Sequence, residues 1–335
     1  MERTCTVLNS RLPSSLLMDL ATESSASAAS ELLRQLRGGN FVVTAELTPP
    51  ASTDASEFID RGLALRGLAT AINVTDGAGA KAHLSSLAAS HLLARNGVEP
   101  ILQMTCRDRN RIALQGDLLG AMALGVRNVL VLRGDDPRGG DQPETKPVFD
   151  LDTAGLLAMA NRMRTERRLP SGTEIKGEVA LVLGAAEIPV DPPRDWQPKG
   201  LVAKMDAGAD FIQTQFCMDV GVVRRYAARL LDLGVAQKLP ILIGVAPIPS
   251  ARSARWMKEK LFGTLIPEEI VRRLESASDP KAEGKRICVE LMQALAEIPG
   301  IAGVHVMAPQ SLSSIPEVIA ASKVKGKKRA ATARA

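Results

Sequence analysis

Eight short β-rich runs alternate with stretches of helical period along this chain, and that alternation restricts the fold more than any other property of the sequence. The runs are Phe41–Leu47, Ala71–Thr75, Ile101–Cys106, Asn128–Arg133, Glu178–Leu183, Phe211–Phe216, Ile241–Ala246 and Ile301–Met307. Between them, apolar residues recur at three- and four-residue spacing, as in Leu84-Leu87-Ala88-Leu92 and across residues 112–124, 156–163 and 222–233. That is the period of a helix with one buried face. Strands separated by helices run parallel, because a parallel pair needs a crossover connection. A doubly wound sheet and a closed barrel both meet this demand, and eight successive units favour the barrel. The chain is therefore expected to form an α/β fold, a (β/α)8 TIM barrel over residues 39–322. A helical extension is expected before it (residues 1–38, with a helix from Ala26 to Leu36 stopped by Gly38-Gly39), and a disordered basic tail after it (residues 323–335). The seventh connection, Pro247 to Pro299, has room for two or three helices.

Composition narrows the function classes. The tail carries Lys323, Lys325, Lys327, Lys328, Arg329 and Arg334 without an acid, and removing those six from the net charge of +5 leaves −1 for residues 1–322. The body thus lacks the basic footprint of a nucleic-acid binder, and a short basic tail reads as a solvated end. Aromatic residues make up 3% of the chain, too few for a row of base-stacking platforms. Cys5, Cys106, Cys217 and Cys288 form no CxxC pair. That pattern suits neither a zinc site nor a disulfide framework and fits a reducing cytoplasm. Arg11 and Asp19 interrupt the apolar stretch around Leu16-Leu17, so no secretory leader is expected. No run reaches the ~18 apolar residues of a membrane span. The three histidines, His83, His91 and His305, have no i,i+3 or i,i+4 partner among themselves, so no metal is expected.

Chemistry on such barrels sits on the loops that follow the strands, and here those positions are polar. Glu46 ends the first run ahead of Thr48-Pro49-Pro50; Thr75-Asp76-Gly77 ends the second and Thr105-Cys106-Arg107-Asp108 the third. The fourth runs into Arg133-Gly134-Asp135-Asp136-Pro137, the sixth places Gln213 and Gln215 on one face, and the eighth contains His305. Carboxylates, amides and an arginine on one rim are costly without ligands or mutual pairing, which points to an enzyme rather than a binding module. A partly buried Glu46 suits a general acid, though capping the next helix accounts for it equally well. Gly134 permits close backbone approach beside Asp135, which sits where a ligand would be, in preference to an Asp-Pro turn with a surface ion pair. Gly139, Gly140 and Asp141 mark a loop mobile enough to serve as a lid. The stretch Asp76–Lys81 is glycine-rich but matches no phosphate-binding pattern and reads as a flexible connection. Lys204, in the helical stretch Leu201–Ala207, suits an anion contact or a solvated charge better than a Schiff base.

Taken in order, several segments are more specific. They are ELTPP (residues 46–50), VTDG (74–77), MTCRDRNR (104–111), LGVRNVLVLRGDDP (124–137), LGAAEIP (183–189), KMDAGADFIQTQFCMD (204–219), ILIGVAPI (241–248) and GVHVMAP (303–309). With these, residues 41–318 resemble the methylenetetrahydrofolate reductase family. The resemblance implies a barrel that uses FAD to pass hydride from NADH or NADPH to 5,10-methylenetetrahydrofolate, giving 5-methyltetrahydrofolate. It places Glu46 as the general acid, Asp135 as the aspartate between flavin and folate, and Gln215 as the glutamine that hydrogen-bonds the pterin. It places flavin contacts at Thr75, Leu132, Arg133, Gly134, Asp135, Ala186 and Lys204. The chain departs from the family at Gln103, at Cys217-Met218, over residues 305–310, and around Pro192-Pro193 and Trp196, where the family has a histidine or aromatic residues. Stacking on a flavin is weaker without those rings. A flavin-independent reductase, a pterin-dependent methyltransferase barrel and a folate-binding subunit with a redox partner therefore stay open, as does a homo-oligomer.

Overall fold

Eight parallel strands close on themselves in chain order in the computed structural model, which describes residues 30–308 and 311–331. They are β1 (Val42–Leu47), β2 (Ala71–Val74), β3 (Pro100–Thr105), β4 (Asn128–Leu132), β5 (Val182–Glu187), β6 (Phe211–Phe216), β7 (Ile241–Val245) and β8 (Gly303–Val306). Because β1 pairs with β8 as well as β2, the doubly wound alternative is excluded. Helix α1 (Glu31–Arg37) precedes the barrel, and α2 (Ser56–Leu65), α3 (Ser86–Arg95), α4 (Arg111–Ala123), α5 (Thr153–Glu166), α6 (Lys199–Asp206) and α7 (Val220–Asp232) follow β1 to β6 in turn. Three helices fill the seventh connection, α8 (Ala251–Lys260), α9 (Glu268–Ser276) and α10 (Pro280–Ala296), and α11 (Ile315–Ser322) follows β8. Many of these helices start on a side-chain cap supplied by the preceding loop. Asn110, Asp152, Asp219, Ser250 and Asp279 each accept a backbone N–H of the first turn, satisfying donors the helix itself cannot. No helix among the described residues is long and apolar enough to cross a membrane.

One strand lies later than its sequence suggests. The apolar run Glu178–Leu183 has the stronger β character, yet β5 forms over Val182–Glu187. Packing decides the matter: Gly184 pairs in register with Phe211, and a Cβ on Gly184 would fall 2.3 Å from the Phe211 ring. Only a strand with its smallest residue at that position closes against the ring, and such tertiary demands override β propensity.

The floor of the barrel is apolar. Val42, Ala71, Ile101, Leu130, Val182, Phe211, Leu242 and Ala302 form one cluster with Leu32 and Leu36 of α1, so this helix plugs the end opposite the loops that follow the strands. Its first turn is held by Glu99, whose carboxylate accepts the backbone N–H groups of Glu31 and Leu32 at 2.8 and 2.9 Å, where the helix dipole favours a negative charge. Residues 26–29 of the expected helix lie outside the described residues.

The C-terminal segment corrects an expectation. Its run of basic residues from Lys323 predicts a disordered, solvated tail, but over residues 323–331 it lies against the plug. Val324 is fully buried, Phe41 donates its N–H to the Lys327 carbonyl at 2.7 Å, and Arg329 donates its own to the Gly39 carbonyl at 3.0 Å. The Lys328 ammonium donates to the Gly38 carbonyl at 2.9 Å and the Arg329 guanidinium to that of Leu36. The physical reason is the free carbonyls at the C-terminal end of α1, which attract cations.

Candidate active site

Above the apolar floor the barrel interior turns polar. Thr44 of β1, Asn73 of β2, Gln103 of β3, Gln213 of β6 and His305 of β8 are all buried, and buried polar groups must find partners. Asn73 and Gln213 exchange hydrogen bonds through their amides, at 2.6 Å from Asn73 Nδ2 to Gln213 Oε1 and 3.0 Å in return. Gln213 Nε2 also donates to Thr44 Oγ1 at 2.9 Å, and that hydroxyl lies 3.0 Å from His305 Nδ1. Glu46, two residues beyond Thr44 on the same strand face, is next toward the mouth. Its Oε2 accepts from Gln103 Nε2 at 2.9 Å and lies 3.6 Å from His305 Nε2, and a quarter of its side chain stays exposed. The result is a carboxyl group backed by a closed polar network and open on one side.

The loops around the mouth are cross-tied. Arg107, buried, donates to both Asp108 carboxylate oxygens at 2.6 and 2.7 Å, to the Gly77 carbonyl at 3.2 Å and to the Asp135 carbonyl at 3.3 Å. Asp108 holds its guanidinium above the ordinary value. Asp76 accepts from the Thr105 backbone at 2.9 Å and from Ser86 at 3.1 Å, and pairs with Arg109. The Asp135 carboxylate accepts the Gly79 N–H at 2.8 Å. The loop after β4, expected to be a mobile lid, is therefore tied to the loop after β2; a Cβ on Gly140 would lie 2.2 Å from the Ala80 carbonyl oxygen. Gly134 has φ +94°, and a side chain there would strike Arg107 Cβ at 2.9 Å, so glycine serves inward packing at this turn. A cavity of about 300 Å³ opens beside these loops, with Asp76, His83, Arg107, Asp108, Gln142 and Thr145 among its walls. His83 precedes α3, which carries His91.

The remaining predicted residues stand apart from the Glu46 network. Pairing between β6 and β7 shifts register between Gln213 and Phe216. Gln213 is drawn into the interior, while the Gln215 amide donates to the Phe262 carbonyl at 3.4 Å and accepts the Phe216 N–H at 3.0 Å. Lys204 Nζ donates to the Ala186 carbonyl at 2.7 Å and to Glu187 Oε2 at 2.8 Å. The Arg133 guanidinium lies 4.5 Å over the Phe149 ring. Sequence reasoning gave no role to Thr44, Asn73, Gln103 or Arg107, although Arg107 stood among the polar residues after the third run. The available signal was polar residues at inward-facing positions of otherwise apolar strands.

A flavin can be tested against this rim. Thr75 Oγ1, at the end of β2, is buried without a hydrogen-bond partner, a polar atom with a bond still to make. Gly134 follows β4 and Ala186 lies near the end of β5, so neither carries a bulky side chain at the rim. The residues fit a flavin on this side, whereas the Lys204 cation is already paired with Glu187. Among the described residues no group of three or more His, Cys, Asp or Glu side chains is placed to hold a metal ion.

Residues 31–323 match the family model described as methylenetetrahydrofolate reductase. Methylenetetrahydrofolate reductase 2 of Schizosaccharomyces pombe is 28% identical over 271 residues, covering 78% of this chain and 41% of that protein. The probable NADPH enzyme of Caenorhabditis elegans is 29% identical over 243 residues, 70% of this chain and 34% of that protein. The chain thus spans less than half the length of these two relatives. It covers 82% of the 5,10-methylenetetrahydrofolate reductase of Salmonella typhimurium, at 24% identity over 267 residues, 77% of this chain. Among solved structures, an uncharacterized protein from Clostridium thermocellum that binds two copies of 5-methyl-5,6,7,8-tetrahydrofolic acid superimposes with a TM-score of 0.56 at 15% identity, over 87% of this chain and 97% of that one. At that identity the likeness is one of fold.

Proposed function

The chain belongs to the methylenetetrahydrofolate reductase family, and from that premise we propose that it reduces 5,10-methylenetetrahydrofolate to 5-methyltetrahydrofolate with hydride from NADH or NADPH. The observation that carries this reading is Glu46, a carboxyl group held from behind by Gln103 and His305 and open toward the barrel mouth. Opening the methylene bridge of the substrate leaves an amine nitrogen that needs a proton, and Glu46 is the acid placed to give it. The Gln215 amide binds the pterin edge, and the Asp135 carboxylate, fixed by the Gly79 N–H, lends negative charge where the folate becomes electron-poor. Thr75, Leu132, Arg133, Gly134, Asp135 and Ala186 would hold FAD, with Lys204 once it leaves Glu187. When bound, that group supplies hydride transfer between nicotinamide and folate. The protein's part is positioning, exclusion of water and one proton.

The Glu187–Lys204 pair favours a second reading, a flavin-independent reductase in which the nicotinamide donates directly. Three buried free thiols suit a cytoplasmic setting for either.

An absorbance spectrum of the purified protein, followed by anaerobic NADH, NADPH and then methylenetetrahydrofolate, separates these readings. Flavin bands that bleach with one donor and return on adding folate are the expected result. A colourless protein that oxidises a donor only when folate is present selects the direct route. No donor oxidation in either case, with FAD added, rules out the reductase reading.

A further inference from the structure

His305 lies buried in β8, directly behind Glu46, and the hydrogen bonds around its ring point to one tautomer. Gln213 Nε2 has two protons, one donated to Thr44 Oγ1 and the other to Asn73 Oδ1. The Thr44 hydroxyl therefore accepts from Gln213 and keeps one proton to donate. Two acceptors are in reach, His305 Nδ1 at 3.0 Å and the Val304 carbonyl at 3.5 Å, and the shorter contact is much the better hydrogen bond. A ring whose Nδ1 accepts is neutral and carries its proton on Nε2. That N–H faces Glu46 Oε2 at 3.6 Å, a contact of the loose kind that tightens when a substrate binds. Gln103 donates to the same oxygen. Among the described residues nothing donates to Oε1, and a quarter of the Glu46 side chain stays exposed. An acid with both donors on Oε2 carries its proton on Oε1, the oxygen at the open side.

We propose that His305, as the neutral Nε2–H tautomer set by Thr44 and Gln213, is a positioning residue for Glu46. It holds Oε2 inward so that Oε1 presents the transferable proton at the barrel mouth. This role rests on the acid assignment above, but the tautomer is measurable without turnover.

The chain has three histidines, so long-range proton–nitrogen correlation spectra of the full chain with nitrogen-labelled histidine show three imidazoles. His83→Gln and His91→Gln assign the third by elimination. The expected spectrum at neutral pH has a pyridine-type Nδ1 and a pyrrole-type Nε2 for His305, with the Nδ1 signal displaced in Thr44→Val. A doubly protonated ring, or a proton on Nδ1, overturns the proposal. In turnover, His305→Leu is expected to lower kcat about tenfold with KM nearly constant, the signature of an interaction made in the transition state. His305→Gln, whose amide keeps a donor toward Glu46, recovers most of it. Equal kcat losses in the two variants overturn the positioning role. If the unaltered chain turns over with neither donor, the proposed function fails, and the spectrum still decides the tautomer.

Discussion

Glu46 is positioned by side chains from two other strands, and its chemistry follows from that support. A carboxyl with one oxygen occupied by donors and the other exposed is set up to lose a proton in one direction. Glu46→Gln keeps the shape and removes the proton. It is expected to slow folate reduction by about 10²-fold or more while reduction of bound flavin, or of an artificial acceptor, by the nicotinamide stays within a few-fold. Stopped-flow measurement of the two half-reactions checks this, and equal loss in both would remove the acid role. Asp135→Asn retains an oxygen to accept the Gly79 N–H, so the loop should stay in place while the folate half-reaction slows. An unchanged rate would confine Asp135 to loop anchoring. Glu46 and Asp135 stood out in the sequence because acids at strand ends are conspicuous. Thr44 and Asn73 did not, since small polar residues inside apolar strands are common, and only the closed barrel brings them beside Gln213.

At the scale of elements, α1 and the C-terminal segment form one unit although they lie at opposite ends of the described chain. Leu32 and Leu36 are 0% and 2% exposed, and each such side chain contributes roughly 2 kcal/mol by burial. Leu36→Ala is expected to cost about 2–5 kcal/mol, through lost transfer energy and the cavity left behind. Deleting residues 323–335 removes the strap over α1 together with the buried Val324, and should lower stability by a similar amount. Urea unfolding followed by far-ultraviolet circular dichroism tests both; a deletion that leaves the midpoint unchanged would show that the strap does not hold the plug. Helix and strand order was legible here because the periods of 3.6 and 2 are local properties. The docking of the tail was not, because a run of lysines looks the same whether it meets water or the carbonyl end of a helix.

For the whole molecule, closure of the barrel buries Cys106, Cys217 and Cys288. Burial pushes Cys106 and Cys217 up to about 11 and Cys288 up to about 12, since a thiolate is disfavoured away from water. The nucleophilic form is thus absent at neutral pH. In a Cys5→Ser background, a thiol reagent is expected to find no reactive group in the native chain and three in denaturant. Fast labelling of any of the three under native conditions would mean that the barrel opens far more readily than its packing implies. The near-neutral body read from composition is consistent with a small-molecule site. Even the tail's charge is used partly within the fold.

The amino-acid sequence by itself determined the alternation of strands and helices, the polar character of the strand ends and the family. These reside in local periodicity and contiguous motifs. The tertiary structure decided the closure of β1 on β8, the later start of β5, the docking of the basic segment and the network behind Glu46. Each of these depends on residues far apart in sequence meeting across the barrel, where steric fit and the need of buried polar groups for partners settle what local pattern leaves open.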